Sequence, residues 1–158
     1  DELVKESFED AQILAQPRGL TVALDACDEA TVSGDRHRLR QLLLILTDNA
    51  VKYCEVGGRI AISLRRMDGS AELRITNSGG GIAPKTLENI FGRFVRGENA
   101  QGRVEGCGLG LAIAQWIVLA HGGNIQLVAE PVGMTTARVR LPLGAGSPAV
   151  TRSARGGA

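Results

Sequence analysis

Asp48-Asn49-Ala50-Val51-Lys52-Tyr53 is the first of three short motifs that decide how this chain folds. The second is Asn77-Ser78-Gly79-Gly80-Gly81-Ile82, and the third is Gly106-Cys107-Gly108-Leu109-Gly110-Leu111. The first motif places an amide side chain on a helix. The other two provide backbone without side chains, which a bulky polyphosphate can approach closely. Together the three motifs predict a nucleotide site.

The composition indicates one globular domain. Of the 158 residues, 44% are hydrophobic, which is enough for a single sizeable core. Lysine and arginine number 18 against 17 for aspartate and glutamate, so the net charge of +1 predicts no nucleic-acid partner and no direct membrane contact. The three cysteines are widely spaced and lack metal-ligand pairing, which predicts free thiols in a reducing compartment.

Hydrophobic periodicity and turn residues predict the elements. The expected helices cover residues 2–16, 35–53, 84–91 and 109–120, and the expected strands cover 20–24, 59–65, 71–76, 124–129 and 135–141. In the longest helix Asp35 is the expected N-cap, and the expected core stripe consists of Leu39, Leu42, Leu43, Leu46 and Ala50. The order of elements predicts an α+β fold, with helices packed on one face of a mostly antiparallel sheet.

Two glycine-containing segments are expected to lack regular structure. Residues 95–105 are polar and charged and should form a mobile lid. The tail, residues 144–158, is rich in glycine, alanine, serine and arginine and should be disordered. The folded domain is therefore expected to span residues 1–143.

Several candidate residues lie beside the core stripe of the longest helix. Ile45, Asn49 and Lys52 fall within roughly 60° of one another at the helical advance of about 100° per residue. The amide oxygen of Asn49 suits Mg²⁺. Taken alone, Asn49 and Lys52 would more simply be a solvated helix edge, but the two glycine motifs favour the ligand role. Gly106, Gly108 and Gly110 precede an apolar helix, where backbone N–H groups would meet a phosphate. No Gly-Lys-Ser or Gly-Lys-Thr occurs, which excludes a P-loop.

On these motifs the chain resembles the catalytic ATP-binding domain of sensor histidine kinases, from about Leu20 to Leu143. Further similarities are the Phe91-Gly-Arg93-Phe94 segment before the lid, His121-Gly122-Gly123 and the final Leu141-Pro142. The resemblance implies the Bergerat fold, a two-layer α+β sandwich shared with gyrase, chaperone and mismatch-repair ATPases, with ATP under a flexible lid. Within that group, the Gly-Leu-Gly-Leu run favours kinases.

The resemblance also implies a reaction and its partners. The domain would bind Mg-ATP and donate the γ-phosphate to a histidine on a separate dimerisation and phosphoacceptor helical domain. A response regulator receiver domain would act downstream. The chain would be the cytoplasmic part of a larger bacterial sensor that can be anchored in a membrane. His37 and His121 lack the sequence context of a phosphoacceptor, and His121 is expected to be structural.

Site roles follow from the resemblance position by position. Asn49 would hold Mg²⁺, and Lys52 and Tyr53 would lie by the phosphates and adenine. Asn77, Gly79, Gly81 and Ile82 would line the base pocket, which Thr135 would reach through water unless it is an ordinary strand threonine. The phosphates would be framed by Gly106, Cys107, Gly108, Leu109, Gly110 and Leu111. Arg93 and Arg96 would contact the γ-phosphate or the adjoining helical domain, or be plain surface charges.

Three positions depart from the family pattern. Ile45 stands where an asparagine is usual, Asn77 replaces the adenine-reading aspartate, and Met134 replaces a glycine. An amide without charge should cost about 1 kcal/mol of adenine binding relative to a carboxylate. We therefore expect weakened ATP binding. The alternatives are a degenerate module that acts through partner contacts and, less favoured, an anti-sigma-type serine kinase.

Overall fold

The structure, a computed structural model, describes residues 1–82, 90–91, 109–130 and 133–145. The helices are α1 (Glu2–Ala15), α2 (Arg36–Tyr53) and α3 (Gly110–Ala120), and a 3-10 turn at Gln16–Arg18 follows α1. The strands are β1 (Thr21–Cys27), β2 (Arg59–Met67), β3 (Ser70–Ser78), β4 (Asn124–Glu130) and β5 (Met134–Pro142). The expected lid at 95–105, nearly all of the expected helix at 84–91 and the tail from residue 146 lie outside the described residues.

The strands form one mixed sheet in the order β1-β2-β3-β5-β4. β1 pairs with β2 in parallel, and the remaining three pairs are antiparallel. The turn between β2 and β3 is tight, and Gly69 supplies the positive φ of 74° that it needs. β1 runs to Cys27, three residues beyond the predicted end, because its pairing continues past an irregularity between Leu24 and Ala26. The predicted mostly antiparallel sheet is confirmed.

A single core lies between the helices and one face of the sheet. The predicted stripe of α2 is confirmed, since each of its five members is at most 7% exposed. Alternate residues of the central strands face this stripe, as the period of two in a strand requires. They include Ile60, Ile62, Leu64, Leu73, Ile75, Ala137 and Val139. From α3, Ala114, Ile117 and Val118 complete the core. Within the described ranges, no helix combines the length and apolar character that a membrane span requires.

The start of α2 and the end of α3 are held together by identifiable stabilising contacts. The side chain of Asp35 accepts hydrogen bonds from the backbone N–H groups of His37 at 2.8 Å and Arg38 at 3.2 Å, so α2 begins where predicted. The hydrogen bond from the Arg38 N–H, and to a smaller extent that from the His37 N–H, lowers the pKa of the Asp35 carboxyl. His121 Nδ1 donates to the Ile117 carbonyl at 2.7 Å, while its Nε2 accepts from the Asp35 N–H at 3.1 Å. His121 therefore joins the end of α3 to the start of α2, a structural role as expected.

The opposite face of the sheet carries a buried carboxylate. Glu72 is 1% exposed and accepts hydrogen bonds from Arg74 Nε at 2.6 Å and Arg140 Nε at 2.5 Å. Burial alone would raise the pKa of Glu72, but the hydrogen bonds and charges of the two guanidinium groups bring it below its usual value.

Candidate functional site

The last two turns of α2 carry the polar residues of the first motif. Asn49 and Lys52 are half-buried on the edge of the helix, and Tyr53 is 47% exposed at its end. Lys52 Nζ forms an ion pair with Asp48 Oδ2 at 2.6 Å, which holds the ammonium group along the helix surface. These side chains lie at the boundary between core and surface, where a bound ligand could reach them.

Ile45 connects this edge of α2 to the third motif. Its side chain is half-buried and packs against the core. A Cβ added at Gly110 would lie 3.4 Å from Ile45 Cγ2, so the first turn of α3 passes directly beside Ile45. Leu109 precedes that turn, and Leu111 packs against the core. The structure thus places the end of the third motif beside Ile45, one helical turn before Asn49 of the first motif.

Five predicted site residues cannot be placed. Gly106, Cys107 and Gly108 of the third motif lie outside the described residues, as do Arg93 and Arg96. Their assignment remains a prediction from the sequence.

Asn77 and Thr135 are neighbours across two strands. Asn77 is the penultimate residue of β3, and its register partner on β5 is Thr135. Both lie on the helix-bearing face of the sheet, with Asn77 7% and Thr135 9% exposed. The Asn77 Nδ2 group donates to the carbonyl of Ser78 at 3.2 Å. Two buried polar side chains therefore meet near the end of the sheet that leads into the second motif.

The glycine turn after β3 packs tightly against the end of α2. A Cβ added at Gly79 would lie 2.7 Å from the carbonyl oxygen of Tyr53, so only glycine allows the two backbones to approach this closely. The Gly79 N–H donates to the Gly133 carbonyl at 2.9 Å, and the Glu55 N–H donates to the Ser78 carbonyl at 3.2 Å. The first two motifs and the β4–β5 connection therefore meet at Gly79.

On the other side of the same turn, the part of the chain that the structure describes leaves space. Among the described residues, no heavy atom lies within 4 Å of a Cβ added at Gly80 or Gly81, and Gly81 has a positive φ of 70°. Ile82 follows, half-buried. This free space beside bare backbone fits a flat ligand such as a base, and the neutral amide of Asn49 fits a hard cation such as Mg²⁺.

Two residues that support the site were not anticipated from the sequence. Gly133, with φ of 75°, would place a Cβ 2.5 Å from the Gly79 carbonyl oxygen, so it too must be glycine. The guanidinium of Arg18 donates to the carbonyl oxygens of Val51, of Lys52 at 2.9 Å and of Cys54 at 2.8 Å. The sequence showed Gly133 only as part of a short strand connection, and Arg18 only as part of a break between two elements.

Comparison with known proteins gives consistent matches. Residues 34–145 match the family described as histidine kinase-, DNA gyrase B- and HSP90-like ATPase. The signal transduction histidine-protein kinase BaeS of Escherichia coli is 39% identical over 127 residues, 80% of this chain and 27% of that protein. The sensor-like histidine kinase SenX3 of Mycobacterium tuberculosis is 35% identical over 143 residues, 90% of this chain and 35% of that protein. The chain therefore spans about a third or less of these relatives.

Solved structures agree with the sequence matches. The mycobacterial sensor histidine kinase MprB aligns with a TM-score of 0.81 and 32% identity, over 90% of this chain and 94% of that one. Full-length ShkA in complex with AMPPNP aligns with a TM-score of 0.79 and 28% identity, over 93% of this chain and 30% of that one. The predicted two-layer α+β fold is thus the fold of these kinases.

Proposed function

The chain belongs to the histidine kinase-, DNA gyrase B- and HSP90-like ATPase family, and on that premise we propose that it is the ATP-binding catalytic domain of a sensor histidine kinase. It binds Mg-ATP and donates the γ-phosphate to a histidine on a separate dimerisation and phosphoacceptor helical domain. One observation carries the proposal: Gly79 lies against the Tyr53 carbonyl, and no described atom comes within 4 Å of a Cβ added at Gly80 or Gly81. A relative of the same fold holds the ATP analogue AMPPNP.

The described residues suit positioning more than acid–base chemistry. Asn49 would hold Mg²⁺, which when bound neutralises charge on the phosphates. Lys52 provides a positive charge one turn further along α2 and would leave Asp48 to pair with a phosphate oxygen. Asn77 would accept a hydrogen bond from the adenine amino group, and Thr135 beside it would bind the base through water. Phosphoryl transfer needs mainly such orientation and charge neutralisation, with the proton acceptor supplied by the phosphoacceptor domain.

The departures at Ile45 and Asn77 set the expected strength of binding. Ile45 offers neither a metal ligand nor a hydrogen bond, and Asn77 offers an acceptor without charge. Mg-ATP binding should therefore be weaker than in a site that carries both polar residues. Ile45 also leaves no carboxylate at that position to activate water, which favours transfer to a protein over hydrolysis.

The partners and location are part of the proposal. A dimerisation and phosphoacceptor domain would provide the histidine, and a response regulator receiver domain would accept the phosphate from it. Because the chain spans only 22–35% of these sequence relatives, one of which is named as a signal transduction kinase and two as a sensor or sensor-like kinase, the domain would belong to a larger sensor. It would lie on the cytoplasmic side, where ATP is available.

Two measurements test the proposal. The 158-residue chain is titrated with AMPPNP and Mg²⁺ by calorimetry, beside Asn49→Ala and the exposed strand variant Asn124→Ala as a matched control. Saturable binding that Asn49→Ala weakens and Asn124→Ala leaves unchanged is expected. The complete natural protein is then incubated with γ-labelled ATP, and acid-labile, alkali-stable label on histidine is expected. Label on serine, or no binding at millimolar nucleotide, would contradict the proposal and favour the serine-kinase or degenerate alternative.

A further inference from the structure

We propose that Arg18 is a positioning residue for the nucleotide site, an inference that rests on the proposed function. Arg18 itself lies in the turn between α1 and β1, 31 residues before Asn49 in the sequence. Its guanidinium nevertheless reaches the end of α2, where it donates to the carbonyls of Val51, Lys52 and Cys54. These three residues flank Tyr53 in the sequence, so Arg18 contacts the backbone at the end of the first motif.

The end of α2 needs such a contact. The last carbonyls of a helix have no partner within the helix, and here Cys54 turns the chain into extended conformation with ψ of 139°. A guanidinium presents several donors in a rigid plane, so one side chain can bind several carbonyls and fix their mutual orientation. Its charge is also favourable at the negative end of the helix dipole. Lysine, with a single nitrogen, could not hold all three carbonyls in this arrangement.

The contact is transmitted to the glycine turn by backbone atoms. The Tyr53 carbonyl, between the carbonyls that Arg18 binds, faces Gly79 at the close approach described above. The Arg18 carbonyl accepts a hydrogen bond from the Gly57 N–H at 3.3 Å, which fixes the loop after α2 from its other side. Arg18 therefore sets where Tyr53 lies relative to Gly79, and it also fixes the turn that carries Lys52. Loss of Arg18 should move both the ligand-facing edge of α2 and the base pocket.

Tyr53 provides a direct readout, because it is the only tyrosine in the chain. The protein is labelled with 3-fluorotyrosine, so a single ¹⁹F resonance reports the end of α2. Arg18→Gln and Arg18→Lys are compared with two controls. Arg36→Gln removes a guanidinium from a surface ion pair with Glu6 at the opposite end of α2. Val4→Ala destabilises the buried face of α1, away from the site.

We expect Arg18→Gln to shift or broaden the Tyr53 resonance without ligand and to raise the Kd for Mg-AMPPNP about tenfold, the effect of roughly one hydrogen bond. Arg18→Lys should give an intermediate Kd. Arg36→Gln should change neither quantity, and Val4→Ala should lower only the melting temperature.

Several results would overturn the inference. One is an unchanged Tyr53 resonance with a Kd within twofold of the parent; another is an equal rise in Kd for Val4→Ala at the same loss of stability. If Arg18→Gln does not fold, Arg18→Lys decides, and failure of both to fold assigns Arg18 a structural role. If the parent chain does not bind nucleotide, the proposed function fails, while the ¹⁹F comparison without ligand still shows whether Arg18 positions Tyr53.

Discussion

Replacing Gly79 by alanine should push apart the first and second motifs, residues 48–53 and 77–82. The added Cβ would lie 2.7 Å from the Tyr53 carbonyl oxygen, whereas ordinary contacts begin at 3.4 Å, so the backbones must move apart by about 0.7 Å. The obstacle is backbone at the end of α2 and cannot rotate away as a flexible side chain would. Overpacking of this kind costs about 1–3 kcal/mol of folding free energy. For a domain of this size, that corresponds to a fall of roughly 3–10 °C in melting temperature.

Nucleotide binding should suffer from the same movement. Loss of about one hydrogen bond's worth of nucleotide contact is roughly a tenfold change in affinity, so we expect the Kd of Gly79→Ala for Mg-AMPPNP to rise about tenfold. Gly80→Ala is the matched control for melting temperature, because no described atom lies within 4 Å of its Cβ position and its φ is not positive. Gly81→Ala should lose about 1 kcal/mol through backbone strain at its φ of 70°, without a clash.

Melting curves and calorimetric titrations of the three variants distinguish a steric clash, expected at Gly79, from backbone strain, expected at Gly81. The fall in melting temperature should be smallest for Gly80→Ala, larger for Gly81→Ala and largest for Gly79→Ala. If Gly79→Ala melted like Gly80→Ala and bound nucleotide like the parent chain, then the close approach to Tyr53 would not be a constraint on the site, and the proposed role of the glycine turn would be refuted.

Two further substitutions test buried polar groups. Asn77→Asp should tighten Mg-AMPPNP binding several-fold through a charge-assisted bond worth about 1 kcal/mol, while lowering the melting temperature because the donor to Ser78 is lost; equal or weaker affinity in calorimetry would show that Asn77 does not contact the base. Glu72→Gln should cost about 2 kcal/mol at pH 7, measured by urea unfolding, because two charge-assisted bonds to arginine are weakened. The folded-state pKa of Glu72 is lowered from 4.5, so its contribution is complete above that value and is lost as pH falls through the lower folded-state pKa. The difference between parent and variant should therefore shrink in acid, whereas the exposed variant Glu9→Gln should show little difference at any pH.

Local sequence signals were sufficient for the elements that carry the site. In α2, a capping aspartate and a stripe of apolar residues at helical spacing determine both the start and the buried face, so the edge position of Asn49 and Lys52 followed directly. The β2–β3 hairpin was equally predictable, because Gly69 in a two-residue turn leaves few alternative registers. These features depend on residues close together in the chain.

Contacts between segments far apart in the chain could not be predicted from such local signals. The bonds of Arg18 to the end of α2 join residues at least 33 positions apart, and the Gly79 N–H bonds to a carbonyl 54 positions away. Hydrophobic periodicity does not encode which carbonyl a given guanidinium will reach, because that depends on how the elements pack. The pairing of β3 with β5, which places Thr135 beside Asn77, is likewise a consequence of topology.

The two altered positions, Ile45 and Asn77, differ in what they change. Asn77 remains buried and hydrogen-bonded at the end of β3, so it loses charge and keeps an acceptor in place. Ile45 exchanges a polar contact for packing, since it lies against the core and the start of α3 at Gly110. Neither change disturbs the approach of Tyr53 to Gly79 or the position of Asn49 on α2. Weaker polar contacts within an unaltered backbone frame should lower the affinity for Mg-ATP without misplacing the bound nucleotide. The loss of kinase activity should therefore be largest at low ATP concentration and should be recovered near saturation.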